Sequence, residues 1–350
     1  MANVPIDKVP SLNPKKKPTI DPNNLPYEIQ SFKERVESAK ELPPIKFIVG
    51  SLIATEELTI LFGRSGAGKT ALAMQIGIAV AKGKRLFTDL INEAGPLKVL
   101  YYDAEMQDRQ ILDRVSLNEF LLPVNFDFMK AKHDYEGPEH SIITQLQNVL
   151  DDSDYKFIII DNLHTLGERL EESGKAREIM MQLKKIVIKN KVTLLVIAHT
   201  PNLPETCKIE SSMMQGSEVL KVFLDQQIAI GNSILNDSTK YIKVLKSRNR
   251  RNDYHSKNVI TTEIIKDNDF LIHDFQQYDC EGLHYNEAEQ KNKDIELSVL
   301  NVQKQNPEFS SREIVEECLD AGVKVGKDKV LSILKNNGII INKNGGRPKK

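Results

Sequence analysis

Between Pro43 and about Phe275 the chain alternates short, wholly apolar runs with longer stretches of helical spacing. Leu58–Phe62, Lys98–Tyr102, Phe126–Met129, Phe157–Ile160 and Thr193–Ala198 are the first runs. They are apolar almost throughout instead of at every second position, which predicts strands buried on both faces of a parallel sheet. The stretches between them, Thr70–Lys82, Met106–Phe120, Glu139–Leu150 and Gly174–Lys189, predict the crossover helices. Later runs at Gln227–Ile230, Tyr241–Leu245, Val259–Ile265 and Phe270–His273 lie close together, separated by turn-like NSILNDS and KDND. They predict antiparallel strands closing one edge. The expected fold class is α/β, a mostly parallel sheet flanked by helices with antiparallel edge strands.

On either side the pattern changes. Residues 1–42 form a Pro-, Asn- and Lys-rich arm, ending in a helical pattern at Tyr27–Lys40 that predicts a docking helix. The α/β body is expected over 43–280, and the polar stretch 281–293 reads as a linker. Residues 294–350 read as a small domain: helices at Ile295–Lys304, Arg312–Asp320 and Lys327–Asn336, then a short strand at Ile339–Ile341. Ser310 or Ser311 with Glu313 predicts a capping box for the second helix, and Gly322 its end.

Composition narrows the class. With 350 residues, 40% hydrophobic and 28% charged, the chain can bury a substantial core. Its 48 basic against 49 acidic residues exclude a uniformly basic nucleic-acid coat and leave local patches open. Cys207, Cys280 and Cys318 are scattered, without a CxxC pair. That argues against a disulfide scaffold or a cysteine zinc site and fits a reducing compartment. The N-terminus lacks the apolar core of a signal peptide, and no run approaches the roughly 20 apolar residues of a membrane helix. A cytoplasmic protein without a membrane partner is expected.

The chemistry begins at Gly63-Arg64-Ser65-Gly66-Ala67-Gly68-Lys69-Thr70, a full match to G-x-x-x-x-G-K-[ST]. It follows an apolar strand and opens a helix, the context in which such a loop cradles phosphates. Glycines let successive backbone N–H groups converge, and the helix N-terminus adds partial positive charge. Lys69 then reaches the β and γ phosphates, and the Thr70 hydroxyl ligates Mg²⁺. Asp161 ends the buried strand Phe157–Ile160, where ligands sit in an open α/β sheet, and is the second candidate for Mg²⁺. Asn162 follows it, so the carboxylate that polarises an attacking water must come from elsewhere. Glu105 in KVLYYDAEM is the candidate, with Asp103 its competitor. His199, at the end of the strand Thr193–Ala198, is a candidate sensor of the γ phosphate. From Lys240 to Lys257 there are seven basic residues and one acid. This is either a solvated turn or a strand aiming Arg248, with Lys246 beside it, into the ATP site of a neighbouring copy. Arg250 and Arg251 are then candidates for nucleic-acid contact.

In this order, these elements resemble the RecA-fold P-loop ATPases. They look most like the hexameric helicases of the plasmid RepA type and, more distantly, of the DnaB type. The entry segment PPIKFIVGSLIATEELTILFGRSGAGKT, the strand YYDAEM with Glu105, FIIIDNL with Asp161, VIAHT with His199 and LKSRN with Lys246 and Arg248 carry the resemblance. The tip departs from the DnaB type, which continues with Gly-Pro where this chain has Arg250-Arg251. The resemblance implies a ring-shaped homo-oligomer, a hexamer, with ATP at its subunit interfaces. It also implies two pore loops for single-stranded DNA, Leu163–Gly174 and Thr200–Gly216, the second offering Lys208 to phosphates. Residues 295–350 resemble a winged helix. Lys327–Lys335 would be its recognition helix, with Val330, Ile333 and Leu334 inward and Lys327, Lys329 and Lys335 outward. The basic tail with Arg347, Lys349 and Lys350 would contact phosphates of duplex DNA. The implied function is ATP-dependent DNA unwinding in the replication of a plasmid, phage or mobile element. A DNA-binding ATP switch or a RecA-type recombination ATPase are the alternatives.

Overall fold

The computed structural model describes residues 29–104, 108–112, 122–130, 141–167, 172–200, 206–214, 218–267, 270–285 and 287–339. It divides into two units, 1–44 and 45–350. The first contributes α1, Phe32–Lys40. Its start is set by a capping box: the Ser31 hydroxyl accepts the Glu34 N–H, and the Glu34 carboxylate accepts the Ser31 N–H.

The second unit is built on a nine-stranded sheet. Its strands are β3 (Leu58–Gly63), β4 (Val99–Asp103), β5 (Phe126–Lys130), β6 (Phe157–Asp161), β7 (Thr193–His199), β8 (Gln226–Asn232), β9 (Thr239–Ser247), β10 (Val259–Asp267) and β11 (Phe270–Asp279). Their order is β11-β10-β9-β8-β3-β7-β6-β4-β5. From β8 to β5 every pairing is parallel; from β8 to β11 every pairing is antiparallel. This is the expected α/β arrangement, with its parallel core and antiparallel edge. A two-stranded sheet of β1 (Phe47–Val49) and β2 (Ile53–Ala54) was not anticipated, because both pieces are too short to show a period.

Both faces of the parallel core are covered, which is why its strands read as continuous hydrophobic runs. One face buries Ile60, Phe62, Ile158, Ile160 and Val196 with α4 (Ile142–Asp151), α5 (Ser173–Asn190) and α6 (Glu218–Phe223). The other buries Leu61, Tyr101, Ile159 and Ile197 with β1, β2 and α2 (Lys69–Ala81). Burial of each such side chain favours the fold by about 1.5–3 kcal/mol. Of the expected helix Met106–Phe120, the described part is α3, Asp108–Leu112.

The stretch 281–293 is not a linker. Glu281–His284 is a buried 3-10 turn, and α7 (Glu287–Gln305) follows. The reason is a buried ion pair: the Lys243 ammonium on β9 donates to the Glu281 carboxylate, and both side chains are closed off from solvent. Three helices end the described chain: α7, α8 (Ser311–Asp320) and α9 (Lys327–Asn336). They enclose a core of their own that includes Val299, Ile314, Cys318, Val330, Ile333 and Leu334. Of the expected strand Ile339–Ile341 only Ile339 is described, and the tail lies outside the described residues. Among the described residues no helix is long and apolar enough to cross a membrane.

Candidate active site

The loop between β3 and α2 is shaped by glycine. Gly66 and Gly68 have φ of 78° and 85°, a backbone region that side chains disfavour. Gly68 is doubly constrained, since a Cβ there would lie 2.6 Å from His273 Nε2 and 2.7 Å from Ile264 Cδ1. No side chain caps α2, so its first N–H groups remain available to a ligand. The Lys69 ammonium is buried and donates to the carbonyls of Gly63 (2.9 Å) and Arg64 (2.7 Å), inside the mouth of the loop.

Asp161 meets this loop from β6. The hydroxyls of Thr70 and Tyr101 each donate to Asp161 Oδ2 at 2.8 Å. Thr70 and Asp161 thus bring two hard oxygen donors together, a set that suits Mg²⁺, which prefers oxygen ligands and keeps several waters. Two polar atoms near the loop, Arg64 Nη1 and Thr200 Oγ1, are buried without a hydrogen-bond partner among the described residues. Asp103 ends β4 in register with Asp161, and the Ala104 N–H donates to the Asp161 carbonyl. Glu105 itself lies outside the described residues.

β7 lies between β3 and β6 and brings His199 to the same sheet edge. The Asn162 amide donates to His199 Nε2 at 3.1 Å, while its Oδ1 accepts the His164 N–H at 2.9 Å. Asn162 therefore couples the histidine to the turn after β6. A cavity of about 390 Å³ joins these groups: Ser65, Lys69, Thr70, Asp161 and His199 line it, together with Ile264 and Leu271 of β10 and β11.

An AAA domain family model matches residues 25–205. The chain belongs to the AAA domain family. Among curated relatives, the early transcription factor 70 kDa subunit of Molluscum contagiosum virus subtype 1 is 21% identical over 293 residues, 78% of this chain and 44% of the relative. The DNA repair and recombination protein RadB of Thermococcus onnurineus (strain NA1) is 30% identical over 129 residues, 37% of this chain and 51% of the relative. The chain thus spans about half, or less, of the length of these relatives. Among solved structures, a KaiC-like protein of the hyperthermophilic archaeon Pyrococcus horikoshii is 15% identical and covers 66% of this chain and 99% of its own, with a TM-score of 0.45.

The AAA domain match ends before β8, so the antiparallel strands lie beyond the matched region. They hold the phosphate loop in place. His273 Nε2 lies 3.0 Å from the Gly68 carbonyl and Nδ1 lies 2.9 Å from the Thr262 hydroxyl. Gln75 of α2 exchanges two hydrogen bonds with the His273 backbone. Burial pushes the His273 pKa down to about 4, so the ring stays neutral while it bridges sheet and loop. Nothing in the sequence distinguished His273 from any other edge-strand histidine. Tyr101 did leave a trace, since it shares strand parity with Asp103.

Lys246 and Arg248 lie at the opposite end of the sheet from this chain's own phosphate loop. Antiparallel pairing puts Gln226 of β8 opposite Ser247, and the Arg248 N–H donates to the Asp225 carbonyl at 2.9 Å. Asp225 in turn bonds Leu58, the first residue of β3. Gly63 is five residues further along, about 17 Å at ~3.3 Å per residue. Arg248 donates to the Val222 carbonyl at 2.7 Å, and its side chain remains 47% exposed. Lys246 donates to the Lys221 carbonyl.

Arg250 is not available to nucleic acid. Its Nη1 bonds both Glu57 carboxylate oxygens at 2.7 Å, and its remaining donors take the carbonyls of Ser51 (2.7 Å) and Leu52 (3.1 Å). Glu57 is buried, and the Arg250 side chain is only 9% exposed. Arg251 is exposed. Lys208 is exposed and pairs with Glu210 at 2.9 Å, on a segment docked through Ile209 N–H to Glu281. Lys327, Lys329 and Lys335 are exposed on α9, as their helical spacing requires. Lys329 also lines a cavity shared with Asp279 and Cys280, so it faces the sheet domain. Arg347, Lys349 and Lys350 lie outside the described residues.

Proposed function

We propose that this AAA domain chain is an ATP-driven DNA motor of helicase type, which assembles head to tail into a ring, a hexamer. One observation carries the reading: the Arg248 tip is exposed at the end of the sheet away from its own phosphate loop. A cation held at the far end of β3, a strand about 17 Å long, from its own phosphate loop serves catalysis at a neighbour's.

In this mechanism the loop amides and Lys69 hold the triphosphate, and Ala67 and Gly68 keep the backbone close to it. Thr70 and Asp161 would hold Mg²⁺, which would supply positive charge to the phosphates when bound. Glu105 accepts a proton from the attacking water, with Asp103 as the competing carboxylate. His199, held by Asn162, senses the γ phosphate. Arg248, with Lys246, enters the adjacent subunit's site and stabilises the charge of the transferring group. The segments 163–174 and 200–216 contact single-stranded DNA, with Lys208 and Arg251 on phosphates. The lysines of α9 and the basic tail contact duplex DNA. Two relatives are named for early transcription and for DNA repair and recombination, which supports a nucleic acid as the polymer.

The test is ATP turnover with and without single-stranded DNA, beside strand displacement on a forked duplex. Stimulated turnover with displacement is expected. Turnover without displacement would transfer the assignment to a DNA-binding switch. Glu105→Gln is expected to bind ATP without hydrolysing it; if Asp103→Asn alone does so, the general base is Asp103.

A further inference from the structure

We infer that the β10–β11 hairpin is the nucleobase seat of the site, and that it grips the base through hydrocarbon contact alone, so that purine triphosphates are accepted with little discrimination. This rests on the nucleotide-binding reading above and specifies the end of the ligand which the family motif leaves open.

The register of the hairpin sets the geometry. Ile264 pairs with His273 and Lys266 with Leu271. With side chains alternating along each strand, Ile264, Lys266, Leu271 and His273 share one face, Lys266 standing at its exposed end outside the cavity lining. His273 anchors that face to the Gly68 carbonyl, and Ile264 packs on Gly68 itself. Leu271, two residues before His273, continues the same face outward into the cavity. Ile264 and Leu271 are half-buried apolar side chains, and both line the cavity beside the phosphate loop.

The polar lining lies at the other end. Ser65, Lys69 and Thr70 belong to the phosphate loop and the start of α2; Asp161 and His199 end the central strands. Among the described residues of the lining, the hairpin contributes no side-chain donor or acceptor. The cavity, about 390 Å³, falls within the range of about 300–1,000 Å³ typical of small-molecule sites. With its phosphates at the loop, a nucleotide therefore presents its base to Ile264 and Leu271. Such a wall rewards a flat apolar face and does not read the edge of the base. Sites that hydrogen-bond a substrate group reject analogues lacking it by about 10⁴–10⁵, whereas apolar walls discriminate far less.

The experiment measures equilibrium binding of ATP, GTP and inorganic tripolyphosphate to the full chain with Mg²⁺. Wild type is expected to bind ATP and GTP within about tenfold of each other. Leu271→Ser is expected to weaken both by about tenfold and to leave tripolyphosphate affinity unchanged. Leu271→Met, which keeps the apolar contact, is expected to restore both nucleotides. Preference for ATP over GTP beyond about 100-fold would overturn the inference. Wild-type affinity for ATP in Leu271→Ser would do the same, as would tripolyphosphate binding that falls in step with ATP. If the wild type binds neither tripolyphosphate nor ATP, the nucleotide reading fails first and the seat with it.

Discussion

The two ends of β3 are built on opposite principles. At its C-terminal end, the Lys69 ammonium is held by two carbonyls and the Asp161 carboxylate by two hydroxyls, all from this chain. At its N-terminal end, Lys184 and Arg248 both approach Asp225, while Lys246 and Arg248 donate to neutral carbonyls of α6. Burial, then the nearby Arg248 charge, lowers the Lys246 pKa. Crowded cations with a single described carboxylate among them suit an anion supplied from outside. Two residues beyond Arg248, Arg250 shows what a structural arginine looks like: largely enclosed, with Nη1 on both oxygens of Glu57 and its other two nitrogens on backbone carbonyls. Within one short segment, the degree of internal satisfaction separates a fold-supporting cation from the one proposed to serve a neighbouring copy.

The sharpest way to break this contrast is to remove one cation from each end. Lys69→Ala and Arg248→Ala are each expected to reduce ATP turnover by about 10³-fold or more, Arg248→Ala without loss of nucleotide binding. An equal mixture of the two variants should then regain measurable turnover, since one supplies the intact loop and the other the intact tip. A mixture as inactive as its parts would show that the tip does not act between copies.

Arg250→Ala should behave in the opposite way. It leaves the Glu57 carboxylate buried without its counter-ion, at a cost of about 3–5 kcal/mol in stability. Urea unfolding would read this as a lowered midpoint, while the folded fraction binds ATP as before. A change in DNA affinity without a change in midpoint would return Arg250 to the nucleic-acid surface.

The smallest effect concerns the clamp on the loop. The folded pKa of His273 is about 4, below the ordinary value of 6.5. As the pH falls from about 6.5 towards 4, the unfolded chain takes up a proton that the folded chain refuses, and stability declines by about 3 kcal/mol. Above this window the stability is fully present. Urea midpoints compared across it for wild type and His273→Gln should show a shallower acid decline in the variant.

Much of this was legible beforehand, for a physical reason. β3, β6 and β7 are buried on both faces and so carry uninterrupted apolar runs, and the glycines and Lys69-Thr70 report a loop geometry that other residues cannot adopt. Asp161 was readable because it terminates such a run. The partners that hold these groups were not, because each acts across a long separation. Tyr101 reaches Asp161 from a neighbouring strand, and His273 reaches Gly68 across 205 positions. The fates of Arg250 and Glu281 were equally hidden. A buried charge looks like a surface charge until its counter-ion is located, and Glu57 and Lys243 are far away in the chain.

A mechanical consequence follows from the bonds at Asp225. Its carboxylate accepts the Leu58 N–H, and its own N–H and carbonyl bond Leu58 and Arg248. The first residue of the phosphate-loop strand is thereby riveted to the base of the exposed tip. In a closed assembly, β3 would act as a push-rod, converting a shift at one fuel chamber into a shift of the arginine serving the next. Firing order around such a ring would be governed by a stiff backbone lever, with no need for a pliable relay.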